Sequence, residues 1–153
     1  MSSVFTHAKR IVLILLLGLL VPGSFEQAHS FMLHRDGNQY TRWFQADMPV
    51  HYSINPSGFP SGSIAAIQNG FQAWQDVTTA TITFTYDGTT TVNTTGDDGT
   101  NVVMMVTNSS DWTHDGDVAA WTTAWVNAST GRIWAADTEF NGTPEFTQTY
   151  YSW

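Results

Sequence analysis

The sequence predicts an α+β domain: a twisted mixed sheet of about five strands, one of them antiparallel, with one large helix packed on it. Three observations predict it. Residues 50–54 alternate apolar and polar side chains, as a half-buried strand does. Ile64, Ile67, Phe71, Trp74 and Val77 then recur at helical spacing. Residues 102–106 form a continuous apolar run, the pattern of a strand covered on both faces.

The elements follow in order. Asn55-Pro56-Ser57-Gly58 ends the first strand. Ser61 or Ser63 is placed to cap the helix, and its five large apolar groups share one face, which must turn toward a core. Residues 78–100 contain eleven threonines. Within them Ile82, Phe84 and Tyr86 alternate with threonine and give a second strand over 82–86, closed by Asp87-Gly88. Residues 89–100 read as a polar loop with Gly96 and Gly99, and 111–117 as an acidic loop. Residues 118–126 and 132–140 are two further strands. The short turn between them, 127–131, forces an antiparallel hairpin. Strand, helix, strand at the start requires a crossover, which makes 50–54 and 82–86 parallel.

The chain has 153 residues, which fits one domain. Residues 1–30 read as a secretory signal peptide: Lys9 and Arg10, an apolar run over 11–21, Pro22-Gly23, and small residues at Ala28 and Ser30. The apolar run is about half of the ~20 residues a membrane span needs. Residues 31–47, polar with Tyr40, Trp43 and Phe44 interspersed, read as an N-terminal arm lying across the domain, and 48–153 as the domain itself. From Phe31 onward three basic side chains (Arg35, Arg42, Arg132) face twelve acidic ones, a formal charge of −9. That balance opposes binding to nucleic acid or anionic membranes and suits a secreted, extracellular protein. No cysteine is present, which excludes a lipoprotein anchor and a disulfide framework. Stability must come from a core, helped by calcium if the acidic surface ligates it. Asn93, Asn108, Asn127 and Asn141 each begin an N-x-[ST] sequon, a pattern that a chain rich in Thr, Asn and Gly also produces by chance.

Four segments resemble, in order and spacing, the upper subdomain of a metzincin zinc metalloprotease, closest to the matrixin-like (peptidase M10-type) branch. M-P-V-H-Y-S-I-N at 48–55 resembles the family's first strand. I-Q-N-G-F-Q-A-W at 67–74 resembles its "A-[FI]-x-x-W" helix. A-A-W-T, formed by Ala119, Ala120, Trp121 and Thr122, resembles the short strand that precedes the zinc helix and lines the cleft. G-R-I-W-A-A-D-T-E-F-N at 131–141 resembles "G-x-I-x-x-[AG]-D-I-x-[FI]-N". The resemblance implies the same five-stranded sheet with one antiparallel strand. It implies a secreted hydrolase acting on peptide or protein substrates, which would pair with Ala119, Ala120, Trp121 and Thr122 by strand addition. It also implies a catalytic zinc and a general-base glutamate on an H-E-x-x-H-x-x-G-x-x-H helix.

That motif is absent. Histidines stand at positions 7, 29, 34, 51 and 114, none with a second histidine four residues on, and none follows 114. No catalytic residue is therefore named. The resemblance implies the N-terminal subdomain only (a truncated product, a fragment, or one part of a split reading frame), inactive alone and marginally folded without the zinc helix that would cover its apolar sheet face. H-D-G-D at 114–117 is the remaining metal candidate. In matrixins a longer loop at this point holds structural zinc and calcium; here Asp111, Asp115 and Asp117 offer oxygens to calcium, or form a solvated acidic loop. Asp137 and Glu139 alternate onto one strand face and form a carboxylate pair, with an ordinary edge strand as the simpler reading. Trp112, Trp121, Trp125 and Trp134 suggest a second function, a small secreted non-catalytic binding module whose aromatics stack on carbohydrate. The alternative for them is to fill the core and the hairpin face.

Overall fold

Parallel pairing of the first two sheet strands follows from the helix between them, and the computed structural model shows it. It describes residues 35–146; the expected signal peptide lies outside them. A small hairpin, β1 (Arg35–Asp36) and β2 (Gln39–Tyr40), precedes β3 (Val50–Ile54), α1 (Ser63–Gln75), β4 (Phe84–Thr89), β5 (Val102–Val106), β6 (Ala120–Val126) and β7 (Ile133–Asn141). The last five strands form one sheet in the order β4-β3-β5-β7-β6. β3 pairs parallel with β4 and β5, β5 parallel with β7, and β6 antiparallel with β7. This is the mixed α+β sheet that the sequence predicts. Among the described residues no helix is long and apolar enough to cross a membrane.

α1 covers one half of one sheet face. Tyr52 and Ile54 of β3 and Val103 of β5 are buried there, with Ile64, Ile67 and Phe71 packed on them. The Tyr52 and Phe71 rings lie 3.9 Å apart, and Phe84 lies 4.8 Å from Phe71. Burying each such side chain contributes ~1.5–3 kcal/mol. Two members of the predicted apolar stripe do not join this core. Trp74 is 66% exposed because it overhangs the half of the sheet that α1 leaves open, and Val77 falls beyond the helix end. The expected serine cap is also not made. The N-cap is Gly62, at φ 88°, with no side-chain hydrogen bond.

β4 starts two residues later than predicted and does not stop at Asp87-Gly88. Its register with β3 slips between Tyr52 and Ile54, and Gly88 takes φ 108°. A bulge absorbs the turn-like pair, so pairing continues to Thr89. β6 begins at Ala120 rather than Val118.

The other face buries Val102, Met104 and Ala135. Loops 90–101 and 107–119 cover it, held down by four polar side chains. Asp137, 2% exposed, accepts the Val102 N–H on Oδ1 at 2.8 Å and the Gly96 N–H on Oδ2 at 3.0 Å. Asn55 donates to the Val92 carbonyl at 2.8 Å. Asn101 donates to the His51 carbonyl and accepts the Ala136 N–H, both at 2.7 Å. Asn141 donates to the carbonyls of Gly116 and Val118. Asp137 and Glu139 thus do not sit on an edge strand: β7 lies between β5 and β6. Burial pushes the Asp137 carboxyl above the ordinary carboxylate range, opposed by its two backbone N–H bonds.

The N-terminal arm docks on the turn before β7. The Arg42 N–H donates to Gly131, and the Ile133 N–H donates to Arg42. The Arg132 guanidinium holds the Asp47 carboxylate through Nη2 and through Nε at 3.1 Å. Gly131 takes φ 73°, and a Cβ there would lie 2.2 Å from the Tyr40 carbonyl oxygen. Only glycine fits both demands.

Three outcomes follow from these contacts. Gly131→Ala should lower stability by at least ~1–2 kcal/mol and expose the arm, read as faster limited proteolysis within residues 40–47. An unchanged cleavage rate would show that the arm is not held here. Asp137→Asn turns an amide donor toward one of the two backbone N–H groups. It should cost ~1–3 kcal/mol in urea denaturation; a neutral result would contradict the clamp. The Arg132 hydrogen bond, more than any other contact, draws the Asp47 pKa below its ordinary 3.8. A folded-state pKa below the unfolded one means stability present above about 3.8 and lost as pH falls through the folded value. Asp47→Asn should therefore lower the thermal midpoint at neutral pH, with the deficit closing in acid. A deficit that stays constant with pH would exclude the ionic contribution.

Candidate functional site

β6 is the last strand of the sheet, and its outer side meets no strand among the described residues. Its orientation follows from one hydrogen bond. The Asn141 N–H donates to the Ala119 carbonyl at 2.9 Å, and Ala120 pairs with Phe140 and Thr122 with Thr138. Bonded and non-bonded pairs alternate along an antiparallel ladder. Trp121 and Thr123 therefore spend their backbone groups on β7, while Ala120, Thr122 and Ala124 turn theirs outward. Ala120, Trp121 and Thr122 are exposed. The segment expected to line a cleft thus sits at the start of an open edge, with Ala119 just before it anchoring to Asn141.

Each face of the sheet offers a distinct surface near this edge. On the α1 side an apolar groove of about 500 Å³ runs between the helix and the strands. Ile67, Gly70 and Trp74 form one wall; Phe59, Met105 and Phe140 line the rest. On the opposite side the His114 ring stacks on Trp121, with centroids 4.6 Å apart and planes 17° from parallel, and Trp112 meets it edge-on at 4.9 Å. His114 Nε2 lies 3.3 Å from Glu139 Oε2, and both side chains are largely shielded, at 18% and 15% exposure. Glu139 faces Trp121 across the hairpin register. The sequence placed Glu139 beside Asp137 and His114 in an acidic loop, but the spacing gave no sign that the loop folds back to join His114 with Glu139.

The other candidates are dispersed. Asp111, Asp115 and Asp117 are exposed. Trp112 Nε1 and the Val118 N–H bind the backbone carbonyl of Asp115, which shapes the loop. Among the described residues no three His, Asp or Glu side chains converge to hold a metal ion. His51 bonds to Asp87 at 2.8 Å on the far strands of the sheet, away from His114. The tryptophans do not fill the core: Trp112 and Trp125 are half-buried, and Trp121 and Trp134 are 46% and 38% exposed. Trp134 Nε1 donates to Asp97.

Fold and site together define an α+β sheet protein with an open antiparallel edge strand beside an apolar groove. Comparison with protein-family models, curated proteins and solved structures returned no match to this chain.

The groove leads to a direct test. A hydrophobic dye should fluoresce strongly with the folded protein, and Trp74→Glu should reduce that signal several-fold with the far-UV circular dichroism unchanged. Undiminished dye binding in the variant would place the apolar surface elsewhere.

Proposed function

We propose that this chain is the sheet subdomain of a secreted, matrixin-like metzincin, and that by itself it holds extended peptide without cutting it. One observation carries this reading. The single antiparallel strand of the sheet stands at its edge, is the strand that the family resemblance puts beside the substrate cleft, and turns the backbone groups of Ala120, Thr122 and Ala124 outward. An extended peptide would add there as a sixth strand, with main-chain hydrogen bonds giving affinity and adjacent surfaces reading alternate side chains. The apolar groove lies on the sheet face where the resemblance puts the zinc-bearing helix. A complete zinc site would need ligands from polypeptide outside these 153 residues, because the sequence holds no H-E-x-x-H. Export rests on residues 1–30, whose charged, apolar and small-residue regions have the order of a signal peptide.

The test uses one substitution. Proline at Thr122 removes an outward N–H and leaves the ladder to β7 intact, the placement in which an edge strand tolerates proline. The purified protein should capture linear peptides from a displayed library, and Thr122→Pro should abolish capture while circular dichroism stays native. Casein and gelatin should remain uncut with or without added zinc. Capture that survives Thr122→Pro would refute the edge, and cleavage that a chelator abolishes would refute the non-catalytic reading.

A further inference from the structure

A second concavity lies on the face opposite α1, between loops 90–101 and 107–119, with a volume of about 480 Å³. That size falls in the range of small-molecule clefts, but most such clefts are lined by apolar groups. This one is lined mainly by hydroxyl, amide and carboxylate groups, with Val106 among the apolar residues that border it. The side chains of Asn93, Thr94, Thr95, Thr107, Thr113 and Thr123 border it and make no hydrogen bond within the described chain. They bring both donors and acceptors. Asp111 and Glu139 add acceptors, and His114 joins the wall with its ring stacked on Trp121.

Three ligand classes can be weighed against this lining. An anion finds no Lys or Arg among the lining residues and meets two carboxylates. A bare metal ion finds no three His, Asp or Glu side chains converging. A neutral sugar satisfies the rest. Its hydroxyls both donate and accept, matching the unpaired threonine and asparagine groups. Its C–H faces suit an aromatic surface such as Trp121, which is nearly half exposed and stacks on the pocket-lining His114. We propose that this pocket is a carbohydrate-binding site: one neutral sugar residue sits between the two loops, and the next in an oligosaccharide lies toward Trp121. This site uses the loop-side faces of Thr123 and Trp121 of β6 rather than the strand's outward backbone groups.

The purified full chain would be titrated by calorimetry with cellopentaose, xylopentaose, mannopentaose and chitopentaose, and with spermidine and calcium as cationic probes. One or more of the oligosaccharides should bind with one-to-one stoichiometry. Thr123→Val, which keeps side-chain shape, and Asn93→Ala should each weaken binding by roughly tenfold, the effect of losing about one hydrogen bond. Independently of any variant, amide chemical-shift changes on titration should cluster at Thr94, Thr107 and Thr113. The proposal is overturned if none of the four oligosaccharides binds at millimolar concentration, if only spermidine or calcium binds, or if the shift changes fall elsewhere.

Discussion

Hydrogen bonds made by a few polar side chains, the buried Asp137 carboxylate foremost, hold loops against the second face of this sheet. A central strand such as β5 needs cover on both sides, and α1 supplies it on one side only. The other cover consists of loops, whose backbone polar groups must find partners when they are pressed against a sheet. Asp137 supplies one such partner to loop 90–101 through Gly96 and ties the start of β5 through Val102. Asn55 and Asn141 serve the two loops in the same way, and Asn101 stitches the entry of β5 to its neighbours on either side. Desolvating a carboxylate is costly unless it is hydrogen-bonded, so the cover depends on those contacts being complete. Under them Met104 and Ala135 reach near-zero exposure without a second helix.

With the loop face closed in this way, the helix face carries the unfinished surface. α1 covers β4, β3 and part of β5, and the remaining half of that face opens into the apolar groove. The adjoining strands β7 and β6 display Thr138 and Thr122, whose hydroxyls bond to each other at 2.9 Å. The β6–β7 hairpin therefore serves three surfaces: the groove side, the free edge, and the aromatic patch of His114 and Trp121 over Glu139. Among the described residues the three arginines, Arg35, Arg42 and Arg132, gather at the opposite end of the hairpin, where the arm binds the turn before β7. The groove and edge are left with acidic, polar and apolar side chains, a composition compatible with peptide or sugar ligands and poor for anionic ones.

Much of the architecture was legible in the sequence because local periodicity reports local burial. The alternation at 50–54 gave β3, the unbroken run at 102–106 gave the central strand, and the five-residue turn fixed the antiparallel hairpin. What stayed hidden was set by partners distant in the chain. Trp74 lies in register with Ile67 and Phe71, and periodicity alone could not say that the sheet beneath it is left uncovered. Asp87-Gly88 has turn chemistry, yet a bulge against β3 carries it within the strand. Asp137 looked like half of a carboxylate pair, and only the return of loop 90–101 makes it a structural anchor. The segment Ala119–Thr122 is singled out by its resemblance to a family strand. Its outward hydrogen-bonding groups follow from the β6–β7 register, which the sequence does not state.

Peptide capture by β6 requires an unpaired antiparallel edge, and amide hydrogen exchange followed by NMR tests that most directly. The amides of Ala120, Thr122 and Ala124 should exchange rapidly, while those of Trp121 and Thr123 are protected by β7, giving an alternating pattern along one strand. Uniform protection along β6 would mean that its outer edge is covered in solution. Uniform rapid exchange would mean that the hairpin with β7 does not form.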